Sequence, residues 1–156
     1  MGQGQRKDAA QAAERVGSLA QSDLPDGSLV LVDSAPIIYV LESASGFAAR
    51  FRTLFERHDA GAIRLAVTTI TIAEVLTGPL RAGEEAIARR YRAVMESWQV
   101  VDLTADIAES AARFRAALGL RTPDAIQVAS AMAIGADALV THDRDFSKVK
   151  TLLVLR

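Results

Sequence analysis

Five short runs of this chain each contain an unbroken apolar stretch: LVLVD (29 to 33), IRLAVTT (63 to 69), QVVDL (99 to 103), ADALVT (136 to 141) and TLLVL (151 to 155). A strand with one wet face alternates apolar and polar residues, whereas a strand of a parallel sheet is buried on both faces and reads as an unbroken apolar run. Between the runs lie segments of helical character. APIIYVLES follows the first, and FAARFRTLFERH sets Phe47, Phe51, Leu54 and Phe55 at i, i+4, i+7 and i+8, the stripe of an amphipathic helix. TIAEVLTGP reads as a helix stopped by Gly78 and Pro79, EEAIARRYRAVMESW as a longer one, and ADIAESAARFRAAL as one ended by Gly119. TPDAIQVASAMAIG is a further helix, with Thr122 as cap, Pro123 at its first position and Gly135 closing it. This order implies an α/β three-layer sandwich, with a central, mostly parallel sheet of about five strands flanked by helices.

The 156 residues fit one domain, and a hydrophobic content of 50% is enough for one sizeable core. Residues 1 to 28, rich in Gln, Ala, Gly, Ser and Asp, read as a loose, flexible extension with LPDGS as a turn at the boundary. Within it, 9 to 20 form at most a short helix with a mostly alanine face. The folded domain is expected over 29 to 156.

Composition removes several classes of chemistry. There is no cysteine, hence no disulfide, thiolate metal site or cysteine nucleophile. Two histidines, His58 and His142, are too few for a three-histidine zinc site. A net charge of -1 excludes a broadly basic nucleic-acid binder while permitting a local basic patch. Arginine outnumbers lysine, which suits bidentate phosphate contacts but also follows from genomic base composition. No run resembles a signal peptide or a membrane span, so the expected compartment is the cytoplasm.

In open α/β sheets, ligands bind outside the carboxyl ends of the strands. Asp33 ends the first run and Asp143 follows the fourth within two residues, so both are expected along one sheet edge. Glu74 and Asp124, in the first turns of their helices, are expected to point there too. Each acid has an ordinary role. Glu74 completes a capping box with Thr71, Asp124 sits where a helix dipole favours negative charge, Asp33 can open the next helix, and Asp143 suits a turn. Carboxylates gathered together repel and raise one another's pKa unless a positive charge intervenes. Mg²⁺ or Mn²⁺, which prefer oxygen ligands, fill that need. Metal-assisted phosphodiester hydrolysis is the chemistry most compatible with this inventory.

LVDSAPIIYVL, TTITIAEVLTGP and LRTPDAIQVASAMAIGADALVTHDRDF, in that order and followed by the closing strand, resemble the PIN-domain ribonucleases, particularly VapC-type toxins of toxin–antitoxin pairs. The resemblance covers 29 to 156. It implies that Asp33, Glu74, Asp124 and Asp143 are catalytic and hold one or two Mg²⁺ or Mn²⁺ ions, with Asp145 where some members carry a further acid. Ser34 and Thr141 stand at hydroxyl positions of the pattern and are expected to support the site. His142 departs from it, since the family usually has Asn there. The resemblance further implies an RNA substrate, cleavage by water to 5′-phosphate and 3′-hydroxyl ends, a homodimer, and a cognate antitoxin that occupies the acidic groove.

Arg81, Arg89, Arg90, Arg92 and Arg121 are candidate phosphate contacts, Arg89 and Arg92 being weighed against a simple solvated helix face, and Arg81 and Arg121 are the ones assigned to substrate binding. One alternative is a PIN-like interaction module without turnover. Another takes DRDFS as the Asp-x-Asp motif of haloacid-dehalogenase-like phosphatases, but that motif needs a long domain after it and only about ten residues follow.

Overall fold

In the computed structural model, which describes residues 21–43 and 45–156, the five runs become strands. They are β1 (Leu29–Val32), β2 (Arg64–Thr68), β3 (Gln99–Val101), β4 (Ala138–Val140) and β5 (Leu153–Leu155). Between them come α1 (Ser34–Leu41), α2 (Ser45–Asp59), α3 (Thr69–Arg81), α4 (Glu85–Glu96), α5 (Ala105–Leu118) and α6 (Thr122–Ala133), and a 3₁₀ turn, Arg144–Lys148, links β4 to β5. Every strand pairing is parallel, and the sheet order is β3-β2-β1-β4-β5.

The unbroken apolar runs have the predicted cause. All four residues of β1 are buried, Leu29 and Leu31 in a core with Ile107, Ala111, Ala125 and Val128 of α5 and α6. Val30 and Val32 face the other way, into a core with Ile37, Phe51, Leu54, Val75 and Met95 from α1 to α4. Each strand thus contributes to two cores, one per face, and polar residues at either set of positions would be stranded away from water.

Strand order positions the site. The chain steps outward from β1 to β2 and β3, then returns to lay β4 on the opposite side of β1. Such a reversal opens a crevice at the carboxyl ends of the two central strands. Val32 is in register with Val140, and the Asp33 N–H donates to the Val140 carbonyl at 2.9 Å, so the residues following β1 and β4 emerge side by side.

Several local expectations shift. The helix expected to stop at Gly78 and Pro79 runs on to Arg81, with Pro79 buried inside it. A proline this near the end removes one hydrogen bond of the ladder without breaking a continuing helix. The stop lies at Gly83, whose φ of +73° suits glycine, where Glu84 N–H reaches Pro79 O and Gly83 N–H reaches Leu80 O. Thr122 is the first residue of α6 rather than its cap, Arg121 holds the cap position, and Pro123 is second. Residues 21–28, read as part of a loose extension, are packed on the body. Leu24 is buried in the core beneath α2, and Arg57 donates to the Gln21 and Ser22 carbonyls and to Asp26. The short helix expected in 9 to 20 lies outside the described residues. Among the described residues no helix is long and apolar enough to cross a membrane.

Candidate functional site

At the crevice is a cavity of about 260 Å³ whose lining includes Asp33, Ser34, Glu74, Arg121, Asp124 and Asp143, with Tyr39 and His142 on one wall. The four acids read from separate sequence segments therefore face one space.

Asp33 caps α1, its Oδ1 accepting from Ser34 N–H at 2.8 Å. The same oxygen accepts from Gln127 Nε2 at 3.0 Å, and Oδ2 accepts from the Thr141 hydroxyl at 2.8 Å. Thr141 in turn accepts from the Asp143 N–H at 3.0 Å, so one buried hydroxyl ties the acid after β1 to the acid after β4. Ser34 lines the cavity, and the bond it gives Asp33 comes from its backbone. Despite three donors, burial dominates and raises the Asp33 pKa above the ordinary carboxylate value, with the Glu74 charge pushing the same way.

Glu74 reaches the cavity by a different route from the capping box expected of it. The cap of α3 is Thr68, whose hydroxyl accepts from Thr71 N–H at 3.1 Å, so Thr71 is already helical and Glu74 lies one turn further in. Its side chain is free of capping duty and exposed at the cavity.

Asp124, in the first turn of α6, is buried, and Asp143 caps the 3₁₀ turn by accepting from Asp145 N–H at 2.9 Å. Arg121 bridges the two acids, Nε donating to Asp124 Oδ2 at 3.0 Å and Nη2 to Asp143 Oδ2 at 2.7 Å. Burial raises the Asp124 pKa, Arg121 lowers it, and the charges of Asp143 and Asp33 raise it again. One carboxylate oxygen from each of Asp124, Asp143 and Asp145 lies within 4.8 Å of the others. Asp145 itself is exposed and Asp33 and Glu74 stand outside that trio while lining the same cavity.

The arginines separate. Arg121 lines the cavity, whereas Arg81 is exposed in the last turn of α3, Arg89 and Arg90 are exposed on α4, and Arg92 pairs with Glu96 one turn away at 2.8 Å. Gln127 was not singled out in the sequence, although it sits three residues after Asp124 and hence on the same helix face. It is almost wholly buried and joins Asp33 to Thr71, to whose hydroxyl it donates at 2.6 Å. Tyr39 is the other unforeseen neighbour, its hydroxyl 3.0 Å from His142 Nδ1.

Comparison with known proteins bears on this arrangement. The PIN domain family model matches residues 30–152. No curated protein sequence matches the chain. The structure is similar to a toxin–antitoxin complex from Klebsiella pneumoniae, at a TM-score of 0.63 and 25% identity, covering 81% of this chain and 96% of that one. It shares its fold with VapBC2 from Rickettsia felis, bound to a DNA fragment from their promoter, at a TM-score of 0.65, 16% identity, and 81% and 96% coverage. It also shares its fold with VapC20 from Mycobacterium tuberculosis, a sarcin-ricin loop cleaving toxin, at a TM-score of 0.61, 20% identity, and 76% and 92% coverage. With a family match that spans most of its length, and with acids gathered where the strand order reverses, the chain belongs to the PIN-domain family and shares its fold with solved VapC and VapBC structures.

Proposed function

We propose that this protein is a divalent-metal-dependent endoribonuclease and the toxin of a toxin–antitoxin pair. The observation that carries the reading is the convergence of Asp33, Glu74, Asp124 and Asp143 on one open cavity, with a cation, Arg121, already neutralising two of them. The donor set fits Mg²⁺ or Mn²⁺: it consists of hard carboxylate oxygens, with Asp145 adding a further one, and contains no sulfur. Asp33, Asp124 and Asp143, with Glu74 and Asp145 beside them, would hold the ion. When bound, such an ion supplies Lewis-acid activation of water and offsets the charge that builds on the scissile phosphate.

The chain's own residues set the geometry for this. Asp33 is immobilised by three neutral donors, so its carboxylate needs little reorganisation before reaction. Thr141 keeps Asp33 and Asp143 in fixed relation. Arg121, exposed on its outer side, is free to turn its guanidinium from the carboxylates to a phosphate once a metal neutralises them, and its planar fork suits that anion. Arg81 lies outside the cavity and would contact RNA only further along the strand.

The toxin assignment draws on the relatives, two of which are described as VapBC or toxin–antitoxin complexes. A cognate antitoxin that covers the acidic cavity, a homodimeric state and a cytoplasmic location belong to the same reading. The test is cleavage of end-labelled RNA by antitoxin-free protein in Mg²⁺ or Mn²⁺, beside EDTA and the Asp33→Asn and Asp143→Asn variants. Metal-dependent cuts with 5′-phosphate ends, lost in both variants, are expected. Folded protein that binds Mn²⁺ but cuts nothing in total RNA would point to narrow specificity, and failure to bind metal would favour an interaction module.

A further inference from the structure

One wall of the cavity is aromatic, and the chemistry above makes no use of it. Tyr39 of α1 and His142, the residue after Thr141, line the space together with the acids. Their rings meet edge to face at 5.4 Å, with the Tyr39 hydroxyl 3.0 Å from His142 Nδ1. Phe47 of α2 completes the group, stacked on Tyr39 at 5.0 Å with 23° between planes and lying 4.9 Å from His142. Beneath them Phe51, wholly buried, contacts both Tyr39 and His142 and fixes the set to the core. Phe47 is nevertheless half exposed, so an anchored ring stands against solvent next to His142, adjoining the lining of the acidic cavity rather than forming part of it.

We propose that Phe47, with Tyr39 and His142 behind it, is a stacking step for an unpaired RNA base next to the scissile phosphate. This deepens the nuclease reading and rests on it. An exposed ring held in orientation by its neighbours offers a stacking face at little entropic cost, and stacking is how proteins hold unpaired bases without reading their edges. A base stacked inside a duplex cannot reach such a face, so the wall selects unpaired nucleotides. The other exposed large hydrophobics, Leu80, Val94, Leu103 and Met132, belong neither to the ring group nor to the cavity lining. Val94 lines a separate cavity of about 340 Å³ with Ile37, Val40, Leu41, Phe55 and Trp98, whereas beside the acids the polar edges of Tyr39 and His142 suit a base better than an aliphatic side chain. The departure at position 142 also gains a reason, because imidazole adds a ring to the wall where the amide of Asn would not.

The experiment uses the full chain and short single-stranded RNAs carrying the fluorescent base 2-aminopurine at successive positions around a mapped cleavage site. Binding is followed in EDTA, so that no turnover intervenes, and cleavage in Mn²⁺. Wild-type protein is expected to quench the probe at one position beside the cut and to bind the duplex form more weakly. Phe47→Ala should abolish that quench and weaken binding about tenfold, while Phe47→Trp restores both. His142→Asn should weaken the quench in part. Because Phe47 is half exposed, circular dichroism and melting of both Phe47 variants should match wild type. If wild-type protein cleaves RNA but Phe47→Ala binds and cleaves as wild type does, the stacking step is wrong and the nuclease stands. If Phe47→Ala loses antitoxin binding alone, the wall is a protein contact and the proposal fails. If wild-type protein neither cuts RNA nor binds Mn²⁺, the nuclease reading falls and takes this one with it.

Discussion

The two sides of the cavity hold their carboxylates by different means. On the β1 side, Asp33 is buried and surrounded by neutral donors from a backbone amide, Gln127 and Thr141. On the β4 and α6 side, Asp124 and Asp143 share a cation, Arg121, whose side chain is 68% exposed. Neutral donors fix a carboxylate in place but do not fully replace lost hydration, which is why burial still raises the pKa of Asp33. A flexible cation offsets charge more directly and can be exchanged for another cation. One side is thus built for rigidity and the other for replacement.

The sharpest way to test the rigid side is Asp33→Asn. Its shape is kept, its charge removed, and RNA cleavage in Mn²⁺ should fall about a thousandfold or more if the charge is needed for metal-assisted chemistry. The same variant should melt at the same or a higher temperature than wild type at pH 7 in EDTA, because a costly buried charge is gone. A lower melting temperature would mean that the carboxylate is mainly a structural cap.

Gln127→Leu attacks the same side from behind. It leaves Asp33 a negative charge but takes away the donor that orients it, and cleavage should drop about ten- to a hundredfold, as is usual when a group supporting a metal ligand is lost. Loss of fold rather than of activity, read by circular dichroism, would mark Gln127 as a core residue only.

On the exchangeable side, Arg121→Gln should have a smaller and mixed effect. Without the competing guanidinium, Mn²⁺ measured by calorimetry should bind about fivefold tighter, a modest figure because the pair is solvent-screened. RNA should bind more weakly in the same variant. Weaker Mn²⁺ binding would show instead that Arg121 preorganises the acids for the ion.

The smallest expected effect is on pH dependence without metal. Asp33 and Asp124 both have folded pKa values above the ordinary 3.8, so between 3.8 and those values the folded state binds more protons than the unfolded one. Stability in EDTA should therefore decline as pH rises through that window, and Asp33→Asn should flatten the decline. Melting temperatures across the window check it, and a rise with pH would contradict the burial argument.

Much of this was legible in the residues. Apolar runs such as LVLV required burial on both faces, which only a covered parallel sheet supplies, and Asp33 and Asp143 at the ends of such runs followed directly. The exact helix ends were less legible, because Gly78 with Pro79 carries the usual stop signal while the Schellman-type bonds at Gly83 depend on backbone several residues on. Leu24 was lost within a polar segment, since a single apolar residue has no periodicity to reveal it. Gln127 was missed because a polar residue in an apolar helix acquires meaning only from the acid it faces.

By itself the sequence determined the layers, the parallel sheet and the acids at strand and helix ends, because periodicity and turn chemistry act over a few residues. Tertiary structure alone decided that β4 lies against β1 rather than β3, which sets Asp33 beside Asp143 across 110 positions of chain. It also decided that Arg121 bridges two acids and that Phe47, Tyr39 and His142 form one wall. Strand order and side-chain partnership follow from which long-range surfaces pack best, and no local pattern encodes that competition.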